Sequence, residues 1–276
     1  MNYKFKNVLI AIKYADELSL RVAKEIQSYL ATLSVKAEIL SNQVKGTSLP
    51  DKIKDKDLIV VAGGDGTILS VARKLGFPQI PFVGINLGRV GFMTEIELEE
   101  WQEGLLAVLR GEYVLSTRLG FEYELVERRE KGWALNDLVL HRSGLARLLE
   151  IEVGFAGSFF RVRADGVIFS TPTGATAYNI SAGGPVLHPD ISAFSLTWIC
   201  PFLNKAYPLV LPAQSELEVR IVSSEALAML TVDGQRGIEF SSEDTLRVRS
   251  KEGLFGLLQK SKESYLGKLK EKGFYL

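Results

Sequence analysis

The chain has 276 residues, 46% of them hydrophobic, so one large domain or two ordinary ones can each bury a core. Basic and acidic side chains number 33 each, and this balance excludes a global basic field that would draw the chain to nucleic acid or an anionic membrane. A single cysteine, Cys200, excludes an intrachain disulfide framework and points to a reducing, cytoplasmic setting.

The first half alternates strands and helices. "NVLIAI" reads as a short, fully apolar strand. That run is too short for a secretory leader, and no segment reaches the roughly 18 apolar residues of a membrane span. "DELSLRVAKEIQSYLATL" places Leu20, Ala23, Ile26, Leu30 and Leu33 at helical spacing. "VKAEIL" and "DLIVVAGG" are the next strands, "TILSVARKL" is a helix opened by a glycine loop, and "IPFVGINLG" is a fourth strand. "LEEWQEGLLAVLRGE" reads as a further helix. The alternation predicts an α/β fold, a doubly wound, Rossmann-like parallel sheet over residues 1–115. Short strands with turn signals follow to about Arg249 and predict a β-rich domain over 116–253. Helical spacing returns in the tail, and a helix over about 254–276 is expected to pack back on the first domain.

Gly63-Gly64-Asp65-Gly66-Thr67 follows a buried strand and opens a helix. Bare glycines let an anion approach the main chain, and the helix start turns N–H groups toward it. A phosphate donor fits there, with Asp65 either binding Mg²⁺ through water or accepting a proton from an attacking hydroxyl. The ordinary alternative is a tight turn with Asp65 as an N-cap. Neither a P-loop nor a dinucleotide fingerprint is present. "LGRVGF" offers a second pair of glycines, with Arg89 available to a phosphate, although taken alone it reads more readily as an ordinary strand-to-turn segment.

In the second half, Asn136 and Asp137 precede an apolar strand. An amide beside a carboxylate can read a sugar hydroxyl or an adenine edge, although on spacing alone an Asx-turn capping the strand is the better explanation. "STPTGATAY" clusters Ser170, Thr171, Thr173, Thr176 and Tyr178 around a Pro and a Gly, as a loop for a polar ligand does. His141 and His188 lack metal-ligand spacing and read as a strand and a turn residue. "TVDGQR" reads as a β-turn. Cys200, inside "SLTWICPFL", reads as a core residue.

Taken together and in order, "GGDGT", "LGRVGF", "ADGVIFSTPTGATAYNISAGGPVLHP" and "DGQ" resemble the NAD kinase family over nearly the whole chain. The glycine loop alone is shared with diacylglycerol, sphingosine and 6-phosphofructo-kinases; the other motifs are not. The resemblance implies phosphoryl transfer from ATP, or from another donor such as polyphosphate, to the 2′-hydroxyl of the adenosine ribose of NAD. It implies a divalent metal such as Mg²⁺, NADP as product, and a homo-oligomer with the site near a subunit interface. It makes Asp65 the catalytic acid of the loop, with Gly63, Gly64, Gly66 and Thr67 on donor phosphate. It sets Asn136 and Asp137 on NAD, Thr176, Ala177 and Tyr178 around its adenine and ribose, and Ser181 nearby. Asp165 matches an acid at the nicotinamide end, and Arg163 a basic residue near the new phosphate. Three places depart from the family: Asp137 stands for the usual Glu, Ala175 for Ser, and "PFLNKAY" for a segment with His-Ser-Leu after the Cys-Pro. Two rival readings keep part of the pattern, namely a lipid or sugar kinase and a silent NAD(P)-binding sensor.

Overall fold

The computed structural model describes residues 3–42, 53–88, 91–144, 148–204, 206–222, 228–260 and 264–274. They form two compact units, Met1–Thr117 with Phe255–Leu276, and Arg118–Leu254. In chain order the first unit contains β1 (Asn7–Lys13), α1 (Glu17–Thr32), β2 (Lys36–Asn42), β3 (Leu58–Ala62), α2 (Asp65–Lys74), β4 (Phe82–Asn86), β5 (Ile96–Glu97) and α3 (Trp101–Arg110). The chain continues through β6 (Val114–Leu125), β7 (Glu130–Ala134), β8 (Asp137–Arg142), β9 (Leu149–Phe155), β10 (Ser158–Ala164) and β11 (Gly166–Ser170). Next come α4 (Tyr178–Ser181), β12 (Ala193–Ile199), β13 (Leu209–Pro212), β14 (Glu216–Ile221), β15 (Ala228–Val232), β16 (Arg236–Phe240), β17 (Leu246–Gln259) and α5 (Ser264–Glu271).

The first unit is a parallel sheet in the order β2-β1-β3-β4, with β5 and the last residues of β17 also paired to β4. Every residue of β3 and β4 is buried, as a strand covered on both faces requires. α1 starts where the Asp16 carboxylate accepts the Ser19 N–H at 2.8 Å. Its Val22, Ala23, Ile26 and Leu30 face the sheet, whereas Leu20 turns outward. Because β3 and β4 are parallel neighbours, the loops that follow them leave the same carboxyl edge of the sheet. Ligands of open α/β sheets bind at that edge.

The second unit packs two antiparallel sheets face to face. One runs β10-β9-β14-β17, with β6 beside β17 and β7 beside β6; the other runs β13-β12-β11-β8-β15-β16. Between them lies one apolar core to which β8 gives Leu138 and Leu140, β11 gives Val167 and Phe169, and β14 gives Leu217 and Val219. Side chains alternate along a strand. Leu138 and Leu140 therefore enter the core while Asp137, Val139 and His141 point the other way, into a cavity on the outer face of the six-stranded sheet.

Two expectations need correction. The C-terminal helix does not begin near 254: residues through Gln259 belong to β17, where Leu254, Phe255, Leu257 and Leu258 are buried, and among the described residues of this stretch the helix is Ser264–Glu271. An apolar run of that kind suits a covered strand better than an amphipathic helix. Cys200 is exposed rather than in the core, because β12 ends at Ile199 and Cys200 turns out of the sheet with a φ of 45°.

Candidate functional site

The glycine loop is the candidate feature of the first unit. Gly64 is the N-cap of α2, and Asp65 is the first residue of the helix, so Asp65 is not the cap. Among the described residues its carboxylate makes no hydrogen bond to α2. Instead Oδ2 accepts the Phe92 N–H at 2.8 Å and Oδ1 accepts the Met93 N–H at 3.0 Å. Gly63 donates its N–H to Ile85 O at 3.0 Å, and a Cβ there would fall 2.7 Å from Thr67 Oγ1. Packing within the loop thus explains Gly63. Among the described residues nothing lies within 4 Å of an ideal Cβ on Gly64 or Gly66. Their bareness leaves open space above a helix N-terminus of ten residues, where N–H groups and the positive dipole end favour an anion. Arg89 lies outside the described residues.

The second unit, described by itself, holds a cavity of about 560 Å³. Asn136, Asp137, Asp165, Ala177 and Tyr178 line it, so five of the residues expected from sequence converge on one space. Thr173, Thr176 and Ser181 lie on the neighbouring loop and α4 without lining the cavity. Arg163 is not in the lining either: it is an exposed residue of β10, with its guanidinium 5.2 Å from the centre of the Phe202 ring.

Three chain segments are locked together here. The Asp233 carboxylate accepts the N–H groups of Leu135, Asn136 and Asp137, at 3.0, 2.7 and 3.2 Å to Oδ1. Asp233 and Gly234 both have positive φ, 51° and 62°, in the short turn between β15 and β16. That backbone form is what a tight Asp-Gly turn supplies. From the other side, Thr171 Oγ1 donates to Leu135 O at 2.6 Å, and Thr171 N donates to Asn136 O at 2.9 Å. Gly174 lies so close to Asn136 O that a Cβ would collide with it. Asn179 fixes the end of the loop, donating to Ala175 O and Pro185 O and accepting from Ser195 and Thr197 hydroxyls.

The cavity is polar where it is held most rigidly. Asn136 Oδ1 is buried and has no hydrogen-bond partner among the described residues. Such an acceptor is costly unless a ligand or water supplies a donor. Burial, reinforced by the negative charge of Asp233, pushes the Asp137 carboxyl up to about 7. Asp165 pairs with Arg142 Nε at 2.9 Å.

Sequence reading missed His141, Arg142, Asn179 and Asp233. His141 bridges Thr231 Oγ1 and Arg142 O, at 3.0 Å to each, from within the cavity wall. The period-two pattern of β8 was the available signal for His141. Nothing local signalled the contacts of Asp233.

Residues 13–113 match the family model described as the ATP-NAD kinase N-terminal domain, and residues 135–258 match that of the ATP-NAD kinase C-terminal domain. The chain is 36% identical to an NAD kinase of Oleidesulfovibrio alaskensis over 99% of its own length and 95% of that protein. It is 35% identical to an NAD kinase of Citrifermentans bemidjiense, covering 97% and 98% of the two chains. Among solved structures it resembles yeast NADH kinase complexed with NADH, with a TM-score of 0.84, 25% identity, and 98% and 88% coverage. An NAD kinase from Archaeoglobus fulgidus in complex with ATP gives a TM-score of 0.76 and 28% identity, with 96% and 99% coverage.

Proposed function

The chain belongs to the ATP-NAD kinase family, and from that premise we propose how its residues carry the reaction. It is a kinase that phosphorylates NAD with ATP, at the 2′-hydroxyl of the adenosine ribose, to give NADP. We assign Asp65 as the carboxylate that orients this hydroxyl and takes its proton. The ribose oxygen bonds to the γ-phosphorus of ATP, the bond from that phosphorus to the β-phosphate bridging oxygen breaks, and ADP departs. A ribose hydroxyl has a high pKa, so the carboxylate helps most late in the transfer, when the proton has become acidic.

The observation that carries this reading is the posture of Asp65. It opens a helix, and two backbone N–H groups from outside that helix hold its carboxylate. Gly63, Gly64, Gly66 and Thr67 are assigned to donor phosphate, supported by the open space at Gly64 and Gly66. Asn136, Asp137, Ala177, Tyr178 and Asp165 are assigned to NAD, supported by their shared cavity. Thr173, Thr176 and Ser181 stay in the proposal as loop residues beside it, and Arg163 as a basic group near the new phosphate.

Mg²⁺ enters this scheme with ATP. Among the described residues no group of three or more His, Cys, Asp or Glu side chains could hold a metal. A magnesium ion bound mainly by substrate phosphates needs no such cage.

A homo-oligomer belongs to the same proposal. Phe159 on β10 and Leu209 and Val210 on β13 are exposed, as are Phe202, Leu203 and Tyr207. β10 and β13 are edge strands, and a second copy is the partner such surface suits. Sedimentation as a monomer at micromolar concentration would remove this part. A cytoplasmic setting rests on the lone cysteine. No helix among the described residues is long and apolar enough to cross a membrane.

The test is NADP formation by the purified protein with NAD, Mg²⁺ and either ATP or polyphosphate, with Asp65→Asn as the blank. Formation with ATP that disappears in the variant is expected. Undiminished turnover in the variant would remove Asp65 from its role.

A further inference from the structure

Two of the N–H groups in the first unit, those of Phe92 and Met93, fix the Asp65 carboxylate, and the segment that carries them is itself gripped by the end of the chain. The Phe92 ring lies 6.0 Å from that of Tyr265 and 5.8 Å from that of Phe274, centre to centre. Lys272 Nζ sits 4.9 Å from the Phe92 ring centre. Two residues further on, Lys268 of α5 donates to Thr94 O at 2.8 Å and pairs with Glu95 at 2.6 Å. The other Glu95 oxygen accepts Lys260 N–H at 3.0 Å. The pair is well shielded, with the Lys268 side chain 12% exposed and that of Glu95 3%. On the opposite side, Glu95 N donates to Gly84 O of β4 at 3.0 Å.

The segment Phe92–Glu95 is therefore held between a buried strand and the C-terminal helix, and two of its N–H groups bind the Asp65 carboxylate. We propose that α5 and the residues after it act as a positioning element for the kinase reaction: Lys268 and the aromatic contacts of Phe92 hold the donors that aim Asp65. This rests on the assignment of Asp65 as the reacting carboxylate. Its effect reaches Asp65 through the Phe92 and Met93 N–H groups. Orientation of that kind matters steeply, because a misplacement of about 1 Å can cost about 100-fold in rate.

Full-length Phe92→Leu keeps the backbone donor and removes the ring contacts. Lys268→Met removes the ion pair and the bond to Thr94 O, and Lys268→Arg retains a cation able to make both. Steady-state kinetics with NAD and ATP should show kcat about 10- to 100-fold lower in Phe92→Leu and Lys268→Met, as misalignment of one catalytic group implies. KM for both substrates should stay within about twofold, and Lys268→Arg should recover most of kcat, because the reacting group alone is displaced. A tail that merely stabilises the fold would lower the melting temperature without separating kcat from KM. If Lys268→Met fails to fold, Phe92→Leu decides. Unchanged kcat in folded Phe92→Leu, with Asp65→Asn inactive, overturns the positioning role and spares the assignment of Asp65. Turnover retained in Asp65→Asn overturns the assignment itself.

Discussion

A methyl group on Gly91 would occupy the place of the Asp65 carboxylate. An ideal Cβ there lies 2.9 Å from Asp65 Cγ and closer still to Oδ1 and to Thr94 Oγ1. Gly91 precedes the two residues whose N–H groups bind that carboxylate, so its lack of a side chain lets the segment close on Asp65. Gly91→Ala should force Asp65 or the segment to move. We expect kcat to fall about 100-fold, with NAD affinity unchanged and the protein folded. Turnover assays beside a calorimetric NAD titration check this, and near-wild-type kcat would show that Asp65 tolerates the shift.

Asp137 gives a pH signature. Its carboxyl is raised from 3.8 to about 7 by burial and by the charge of Asp233. A raised acid stays protonated in the folded protein while its unfolded counterpart ionises. Its contribution to stability is therefore complete below about pH 4 and is lost as pH rises toward 7. Asp137→Asn, which never ionises, should gain melting temperature relative to the parent across that window and hold the gain above it. Thermal melts of the two proteins from pH 4 to 8 provide the comparison. A difference that does not change with pH would mean that Asp137 titrates normally.

Much of the fold was readable because its signals are local. Fully apolar runs such as Leu58–Ala62, ended by glycines and followed by helical spacing, can hardly be anything but covered parallel strands. The glycine loop and the Asn136-Asp137 pair were readable as polar groups at strand ends. What escaped reading was set by pairing across the chain. Asp233 and Asn136 are 97 residues apart, and Asp65 and Phe92 are 27 apart. No periodicity within one segment reports such a contact. Likewise Cys200 and Arg163 sit where a strand ends or its edge is open, and their exposure follows from topology rather than from residue type.

Asp233 organises the cavity wall, which predicts a coupled loss. Asp233→Asn keeps a residue that tolerates positive φ and removes the charge that three N–H groups share. Hydrogen bonds to a charged group are worth about 1.5–3 kcal/mol. A destabilisation of about that size is expected, together with weaker NAD binding, because Asn136 and Asp137 lose their anchor. The Asp137 carboxyl should also titrate lower, since one of the two causes that raise it is gone. Denaturant melts and NAD titrations at several pH values test all three. Unaltered NAD affinity in the variant would mean that the wall holds its shape without Asp233.

Tyr178 is the aromatic residue lining the cavity, and at 47% exposure it leaves a large part of its surface to a ligand. An exposed ring at the mouth of a polar cavity suits a base stacked on its face, and its hydroxyl suits a sugar or phosphate oxygen. The two roles separate experimentally. Tyr178→Ala removes both and should weaken NAD binding about 5- to 150-fold, the range implied by losing one base–aromatic stack of about 1–3 kcal/mol. Tyr178→Phe keeps the ring. If stacking dominates, the Phe variant binds NAD as the parent does; if the hydroxyl dominates, it falls with the Ala variant. Equal affinity in all three proteins would take Tyr178 out of the NAD site and leave Asn136, with its buried unpartnered oxygen, as the residue on which the site assignment stands.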